Sequence, residues 1–411
     1  MNGGDGRQCR VAMYSPGMVG FGHIRRNASI AQALRGSALQ PVLVMIAEAW
    51  QAGAMPMPQG VDCLTLPALR KETDGRCNAR FLDVSNQELV RLRAGVIEST
   101  IKALEPDVLI VDHLPRGAAR ELEPTLAYLR KHTDTRCVLG LRDILQDPTT
   151  VHRAWSDQGN GDAIRAYYDA VWIYCDPAVY DPVREYGLFN NMADRVHYTG
   201  YIDERPRLEF APRDADTPAG HPTRRLALCL VGGGQDGSAV ADAFVQTDLP
   251  PDMTGVIVTG PYMPNAAQRR LRRRAARRRD MTVLEFVPEP APLINRADRI
   301  VAMGGYNTMC ELLSFEKHAL VVPRVTNAEQ WIRAQRMREL GLIHVLHPDR
   351  LGPEALGAWL ARDLGPPPPS HTKIDFGGLT RIPCLLAELL GVSAEPFELA
   401  AANASYAAAS V

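Results

Sequence analysis

The clearest chemistry in this chain is a carboxylate set one turn into a helix that opens on a double glycine. Arg299–Ala302 reads as a strand, and Met303-Gly304-Gly305 as a turn without side chains that would block a close approach. Met309–Ser314 reads as the helix that follows, with Asn307 or Thr308 as its cap. A helix start of this kind presents unbonded N–H groups and the positive end of the helix dipole. It is an anion site suited to a diphosphate. Glu311 falls three or four residues into that helix, where it can accept both hydroxyls of a ribose whose phosphates sit at the cap. Downstream, Glu329 and Gln330 open another helix after the strand Ala319–Val322 and Pro323. They are placed to meet the hydroxyls of a sugar in the same cleft. Plainer roles exist for each: a surface ion pair for Glu311, a solvated helix start for Gln330, simple capping for Asn307 and Thr308.

These residues need a frame, and the chain supplies one twice. Arg10–Tyr14 is a strand, Gly17 to Gly22 a glycine-rich turn, His23–Leu34 a helix and Pro41–Ala47 a second strand. Helical patterns recur at Gln87–Ala103 and Glu121–His132, and strands at Asp107–Val111, Cys137–Leu141 and Ala170–Tyr174. Such uninterrupted apolar runs suit strands buried on both faces. The stretch from Arg205 to Thr223 has no periodicity and reads as a linker. Arg225–Leu230 then restarts the pattern, with Gly232-Gly233-Gly234 as the turn and a helix beginning at Ser238. Strands follow at Gly255–Val258 and Thr282–Phe286. The expected fold is α/β, with two doubly wound Rossmann-like domains facing each other across a cleft. The boundaries are 1–205, a linker at 206–224, 225–390, and an Ala/Ser-rich tail at 391–411. Ligands of such sheets sit beyond the carboxyl ends of the strands, where both glycine turns fall.

The second half resembles the donor-binding C-terminal half of glycosyltransferase family 28. The residues that carry the resemblance are Ala297-Asp298-Arg299-Ile300-Val301, Gly304-Gly305, Glu311, Ala319-Leu320-Val321-Val322-Pro323 and Gln330. The phrases PDVLIVDHLPRGAARELEPTL and YCDPAVYDPVREYG also resemble an uncharacterised bacterial group of predicted glycosyl transferases. The resemblance implies the two-domain GT-B architecture and transfer of a sugar from a nucleotide-diphosphate donor, a UDP-sugar first, to an acceptor hydroxyl. It implies that Gly232, Gly233 and Gly234 border the diphosphate, that the backbone at Phe286-Val287 reads the base edge, and that His23 faces the acceptor.

His23 suits a general base, because an unperturbed imidazole titrates near 6.5 and the residue follows a glycine turn at the cleft. Asp112-His113, at the end of DVLIV, is the second choice for the base or its orienter. One base and direct displacement would invert the anomeric centre, and a helix terminus can stabilise the leaving diphosphate without metal. Asp214-Ala215-Asp216 has the spacing of a metal-binding pair but falls in the linker, so no essential metal and no cofactor are expected.

With 411 residues, 46% hydrophobic and 23% charged, and a net charge of −1, the chain fits two packed domains and not a nucleic-acid binder. Eight cysteines without a CxxC pair read as free thiols of a reducing compartment. MNGGDGRQCR has no apolar core of a signal peptide, and no apolar run nears the roughly 20 residues of a membrane span. A cytoplasmic protein is expected, with peripheral membrane contact, if any, through Arg269–Arg279, in a stretch that holds eight arginines between Gln268 and Asp280. Two alternatives remain open at this point: a sugar-nucleotide epimerase of the same fold, and a non-catalytic sugar-nucleotide binder.

Overall fold

A computed structural model describes residues 7–16, 22–48, 57–71, 77–189, 191–210, 224–326 and 328–392. The first sheet contains β1 (Arg10–Ser15), β2 (Val42–Ala47) and β3 (Val61–Thr65). A small antiparallel ribbon, β4 (Leu69–Lys71) and β5 (Cys77–Ala79), interrupts it in sequence. The sheet resumes with β6 (Val108–Asp112), β7 (Arg136–Arg142), β8 (Ala170–Tyr174) and β9 (Val196–Tyr198). Its order is β3-β2-β1-β6-β7-β8-β9, and every pair is parallel. The helices of this half are α1 (Gly22–Gly36), α2 (Asn86–Leu104), α3 (Glu123–His132), α4 (Pro148–Gln158), α5 (Asn160–Tyr167) and α6 (Pro182–Tyr186).

The second sheet is built from β10 (Arg225–Leu230), β11 (Met253–Val258), β12 (Met281–Leu284), β13 (Arg299–Ala302), β14 (Ala319–Val321) and β15 (His344–Val345). Its order, β12-β11-β10-β13-β14-β15, repeats the parallel winding of the first. Its helices are α7 (Ser238–Gln246), α8 (Asn265–Ala275), α9 (Ala291–Arg296), α10 (Tyr306–Ser314), α11 (Ala328–Glu339), α12 (Pro353–Leu360), α13 (Ser370–Lys373) and α14 (Gly378–Leu389). Strands β6, β8 and β13 are buried along their whole length, as strands covered by helices on both faces must be.

In both sheets the winding reverses beside the first strand, between β1 and β6 and between β10 and β13. Crevices open at such reversals, beyond the carboxyl ends of the strands. The first crevice carries Asp112 and the start of α1. The second carries Gly232–Gly234 and Gly304–Gly305. The expected α/β, GT-B arrangement is present.

Two points differ from the sequence reading. Asn307 and Thr308 do not cap α10: Gly305 is its N-cap and no side chain bonds there, so both residues lie inside the first turn. The last helix, expected with residues 225–390, returns to the first half. Leu379, Ile382 and Leu386 are buried in the core shared with β1 and α1, and Tyr201 donates its N–H to the Asp375 carbonyl at 2.8 Å. Their i, i+3, i+7 spacing gives α14 one apolar face, and α1 is what it covers.

The halves meet through a fully buried ion pair. Arg333 of α11 donates from Nε to Asp143 Oδ2 at 2.9 Å and from an Nη to Oδ1 at 2.7 Å, just past β7. Its other Nη reaches the Gly304 carbonyl at 2.9 Å, which fixes the glycine turn. Arg333→Ala strands a carboxylate in the interior and is expected to lower stability by about 3–5 kcal/mol. The double variant Asp143→Leu with Arg333→Met is expected to lose less. Urea unfolding midpoints of the three proteins test both statements.

Candidate functional site

Helix α1 starts at the first crevice and turns one face toward the end of β6. His23 Nδ1 lies 2.8 Å from Asp112 Oδ2. Arg26 donates to both Asp112 oxygens, at 2.6 and 2.8 Å, and Asn27 Nδ2 adds a bond at 3.1 Å. Residues i, i+3 and i+4 share one side of a helix, so His23, Arg26 and Asn27 converge on one carboxylate. Burial alone would raise the Asp112 carboxyl, but Arg26 and then His23 outweigh it and hold the group well below the usual carboxylate range. Asp112 is therefore an acceptor; an Arg26 Nη also lies 3.1 Å from His23 Nδ1, but the shorter contact to the carboxylate favours the tautomer in which Nδ1 donates to Asp112. That leaves Nε2 with its lone pair. The His23 side chain is 24% exposed, whereas Asp112 is fully buried. Burial lowers the imidazole below its ordinary value, with Asp112 partly opposing the shift.

The facing wall is the start of α10. A Cβ on Gly305 would meet nothing within 4 Å, so the turn borders open space at a free helix terminus. A Cβ on Gly304 would come within 3.2 Å of the Gln330 carbonyl, which gives that glycine a packing reason. The two walls touch. A Cβ on Gly22 would lie 2.0 Å from Asn307 Nδ2, and Arg26 donates to Asn307 Oδ1 at 3.2 Å. Asn307 thus joins the Gly304-Gly305 turn to the His23 helix instead of capping its own.

Glu311 is buried one turn further on, with an Arg25 Nη of α1 at 3.9 Å. Burial raises its carboxyl, with Arg25 and Arg207 opposing. Arg25 also donates to the Val287 carbonyl at 3.0 Å. Phe286 and Val287 lie just past β12, so Arg25 spans that backbone and the Glu311 carboxylate. Glu329 pairs across the seam with Arg142 at 2.6 Å. Gln330 instead braces its own domain, accepting from the Arg324 N–H at 2.9 Å. In the glycine triplet, Gly232 and Gly234 have φ of +62° and +93°. A Cβ on Gly234 would lie 2.2 Å from the Thr259 carbonyl, whereas one on Gly232 meets nothing within 4 Å. Gly233 accepts from the Tyr262 N–H at 2.9 Å. His113 sits beside His23, with ring centroids 5.5 Å apart.

The sequence reading did not single out Arg25, Arg26, Arg142, Asp143, Tyr306 or Arg333. The adjacent arginines after GFGHI were a visible signal, since charges on the inner face of a helix need buried partners. Tyr306 was not legible: its hydroxyl donates to the Tyr174 carbonyl at 2.6 Å, a contact made only by the joined halves. Residues 17–21 of the first glycine turn and the pair Asp214 and Asp216 lie outside the described residues. Among the described residues, no cluster of three or more His, Cys, Asp or Glu could hold a metal ion, and no helix is long and apolar enough to cross a membrane. In the arginine run, Arg270 and Arg274 pair with Asp242, Arg272 with Glu285 and Arg278 with Asp280. Cys137, Cys175 and Cys229 are free and buried.

Two facing Rossmann-like domains with a free helix terminus at the seam define the GT-B class. Residues 228–369 match the glycosyltransferase family 28 C-terminal domain. The matched residues take in the motifs around Gly304, Glu311 and Gln330 that carried the resemblance in the sequence. No curated protein matches the chain by sequence. Among solved structures, it is similar to the calicheamicin glycosyltransferase CalG4, with a TM-score of 0.57 at 14% identity over 94% of this chain and 98% of that one. It is also similar to MnaA of S. aureus, solved with UDP, with a TM-score of 0.62 at 12% identity over 95% and 99%. A UDP-N-acetylglucosamine 2-epimerase gives 0.60 at 13% identity over 95% and 99%.

If His23 is the base, removing its imidazole takes away the proton acceptor and one of the bonds to Asp112. His23→Ala is expected to lower turnover roughly 10²–10⁴-fold with donor affinity nearly unchanged. In the wild type, a base must be neutral to act, so kcat/KM should fall as pH drops through a value below 6.5. Initial rates from pH 5 to 9 for both proteins check the sign.

Proposed function

We propose that the protein transfers a sugar from a UDP-sugar to an acceptor hydroxyl, with inversion and without a metal ion. The observation that supports this most is the contact between the two walls. Asp112 and Arg26 hold a histidine with a free Nε2 next to a helix terminus able to take a diphosphate. In this reading the acceptor oxygen attacks the anomeric carbon and its proton passes to His23 Nε2. The bond from that carbon to the β-phosphate oxygen breaks, and the oxygen keeps the electron pair. The N–H groups at the start of α10 meet the charge that develops there. Glu311 accepts from the ribose hydroxyls, and the Val287 backbone meets the base edge. Glu329, held by Arg142, and Gln330 border the sugar, as Gly232 borders the diphosphate. UDP is favoured because three structures of similar fold bear UDP or a UDP-sugar in their names.

An epimerase of the same fold would need no acceptor, and a mere binder would turn nothing over. UDP release that depends on an added acceptor separates the three. Retained activity in EDTA supports the metal-free reading, and activity lost there and restored by Mn²⁺ overturns it.

Glu311 gives the sharpest test of donor placement. A hydrogen bond to a charged acceptor is worth about 1.5–3 kcal/mol, and each 1.4 kcal/mol is roughly a factor of ten. Glu311→Ala is expected to weaken UDP about 10–100-fold, and Glu311→Gln less, because the amide keeps one acceptor. Calorimetric titration with UDP, beside melting temperatures, decides. Unchanged affinity with a much lower melting temperature would make Glu311 structural.

A further inference from the structure

His113 is held in a conformation that a histidine seldom adopts. Its φ is +72°, and the Leu114 N–H reaches back to the Asp112 carbonyl at 2.9 Å. That i to i+2 bond around a left-handed residue is the strained form of the γ-turn. Four other described non-glycine residues have positive φ: Gln40, Glu105, Arg120 and Glu316. Glu105 and Glu316 lie at the ends of helices α2 and α10, where such a conformation is routine. His113 closes no helix. It follows the carboxylate that orients His23, and its N–H is tied to the Gly140 carbonyl at 2.8 Å.

Among the described residues, no hydrogen bond to Nδ1 of the side chain repays that strain. Nδ1 of His113 is buried and has no hydrogen-bond partner. A buried polar atom without a partner is costly unless a ligand completes it. A glycine would adopt the same turn without strain. Burial, and then Arg142 and His23, push the imidazole well below its ordinary value, so it meets a substrate as a neutral group. A neutral ring has one donor and one acceptor nitrogen, and a hydroxyl can answer either.

We propose that His113 binds the acceptor, by a hydrogen bond to a hydroxyl near the oxygen that His23 deprotonates. This rests on the glycosyltransferase reading. The acceptor is favoured over the donor because His113 and His23 share the β6 crevice, with rings 5.5 Å apart. Glu311, Gly305 and Val287, which frame the nucleotide, belong to the other sheet. The histidine therefore trades fold stability for a substrate contact, as strained residues at functional sites do.

The experiment compares wild type with His113→Gly, His113→Asn and His113→Ala as full-length proteins. Melting temperature and UDP affinity are measured for each. UDP release from UDP-glucose and UDP-N-acetylglucosamine is followed with water alone and with a set of methyl glycosides and phenols. The expected glycine variant melts roughly 1–3 °C higher, since a relieved backbone stabilises the fold. Its UDP affinity stays within about twofold of wild type. Its acceptor KM rises about five- to tenfold, the equivalent of one neutral hydrogen bond. Asparagine, which tolerates the turn and keeps a polar side chain, restores part of the acceptor affinity. Alanine loses the contact and keeps the strain. A glycine variant that melts lower, or one whose acceptor KM is unchanged, overturns the proposal. If wild type transfers to no acceptor, the glycosyltransferase reading falls instead. In that case a higher-melting glycine variant still supports a ligand contact at His113, and a lower-melting one refutes it.

Discussion

The site depends on one buried carboxylate. Asp112 is fully enclosed at the end of β6 and is kept ionised by Arg26, which offers it two bonds from a side chain only 1% exposed. An isolated charge in such a place would be prohibitive, and an ion pair there holds only with good geometry and further hydrogen bonds. His23 and Asn27 supply those bonds, and so the position and tautomer of the His23 ring are consequences of neutralising Asp112. Arg26 also bonds Asn307 and lies over the rings of Tyr174 and Tyr306, at 5.4 and 5.1 Å from their centroids. The same guanidinium therefore orients the histidine and carries its position to the anion turn of the other half.

A second network gathers Arg25, Glu204, Arg207 and Glu289 at the seam. Arg207, just before residue 211, bonds Glu289 at 2.6 Å and the Arg25 carbonyl at 2.8 Å. Glu204 accepts from the Ser29 hydroxyl at 2.9 Å. Burial, reinforced by Glu311 against the pull of Arg207, raises its carboxyl to about 7. Glu204, Glu289 and Glu311 thus face Arg25 and Arg207 in one enclosed space. A hydrogen bond to any one of these carboxylates would be felt by the others.

Much of this was legible in the sequence where local physics decides. Continuous apolar runs marked β8, β10 and β13 to the residue, and the turns at Gly232–Gly234 and Gly304–Gly305 marked the second crevice. Glu311 lies where its spacing from Gly305 put it, on the inner side of α10. What failed were features that need two distant segments at once. Asn307 looked like a cap because capping is a local property, yet its partner is Arg26, 281 residues away. The apolar face of α14 was readable, but not that it covers α1. Residues such as Asp143 and Arg333 look like ordinary surface charges until the halves close and bury both.

The central claim is that one base on one side of the cleft and a diphosphate on the other drive a single displacement. The anomeric configuration of the first-formed product, read by proton NMR before it can equilibrate, tests that claim most directly. The account predicts inversion relative to the donor sugar. Retention of configuration would require a second displacement, and would contradict a mechanism built on His23 as the sole base.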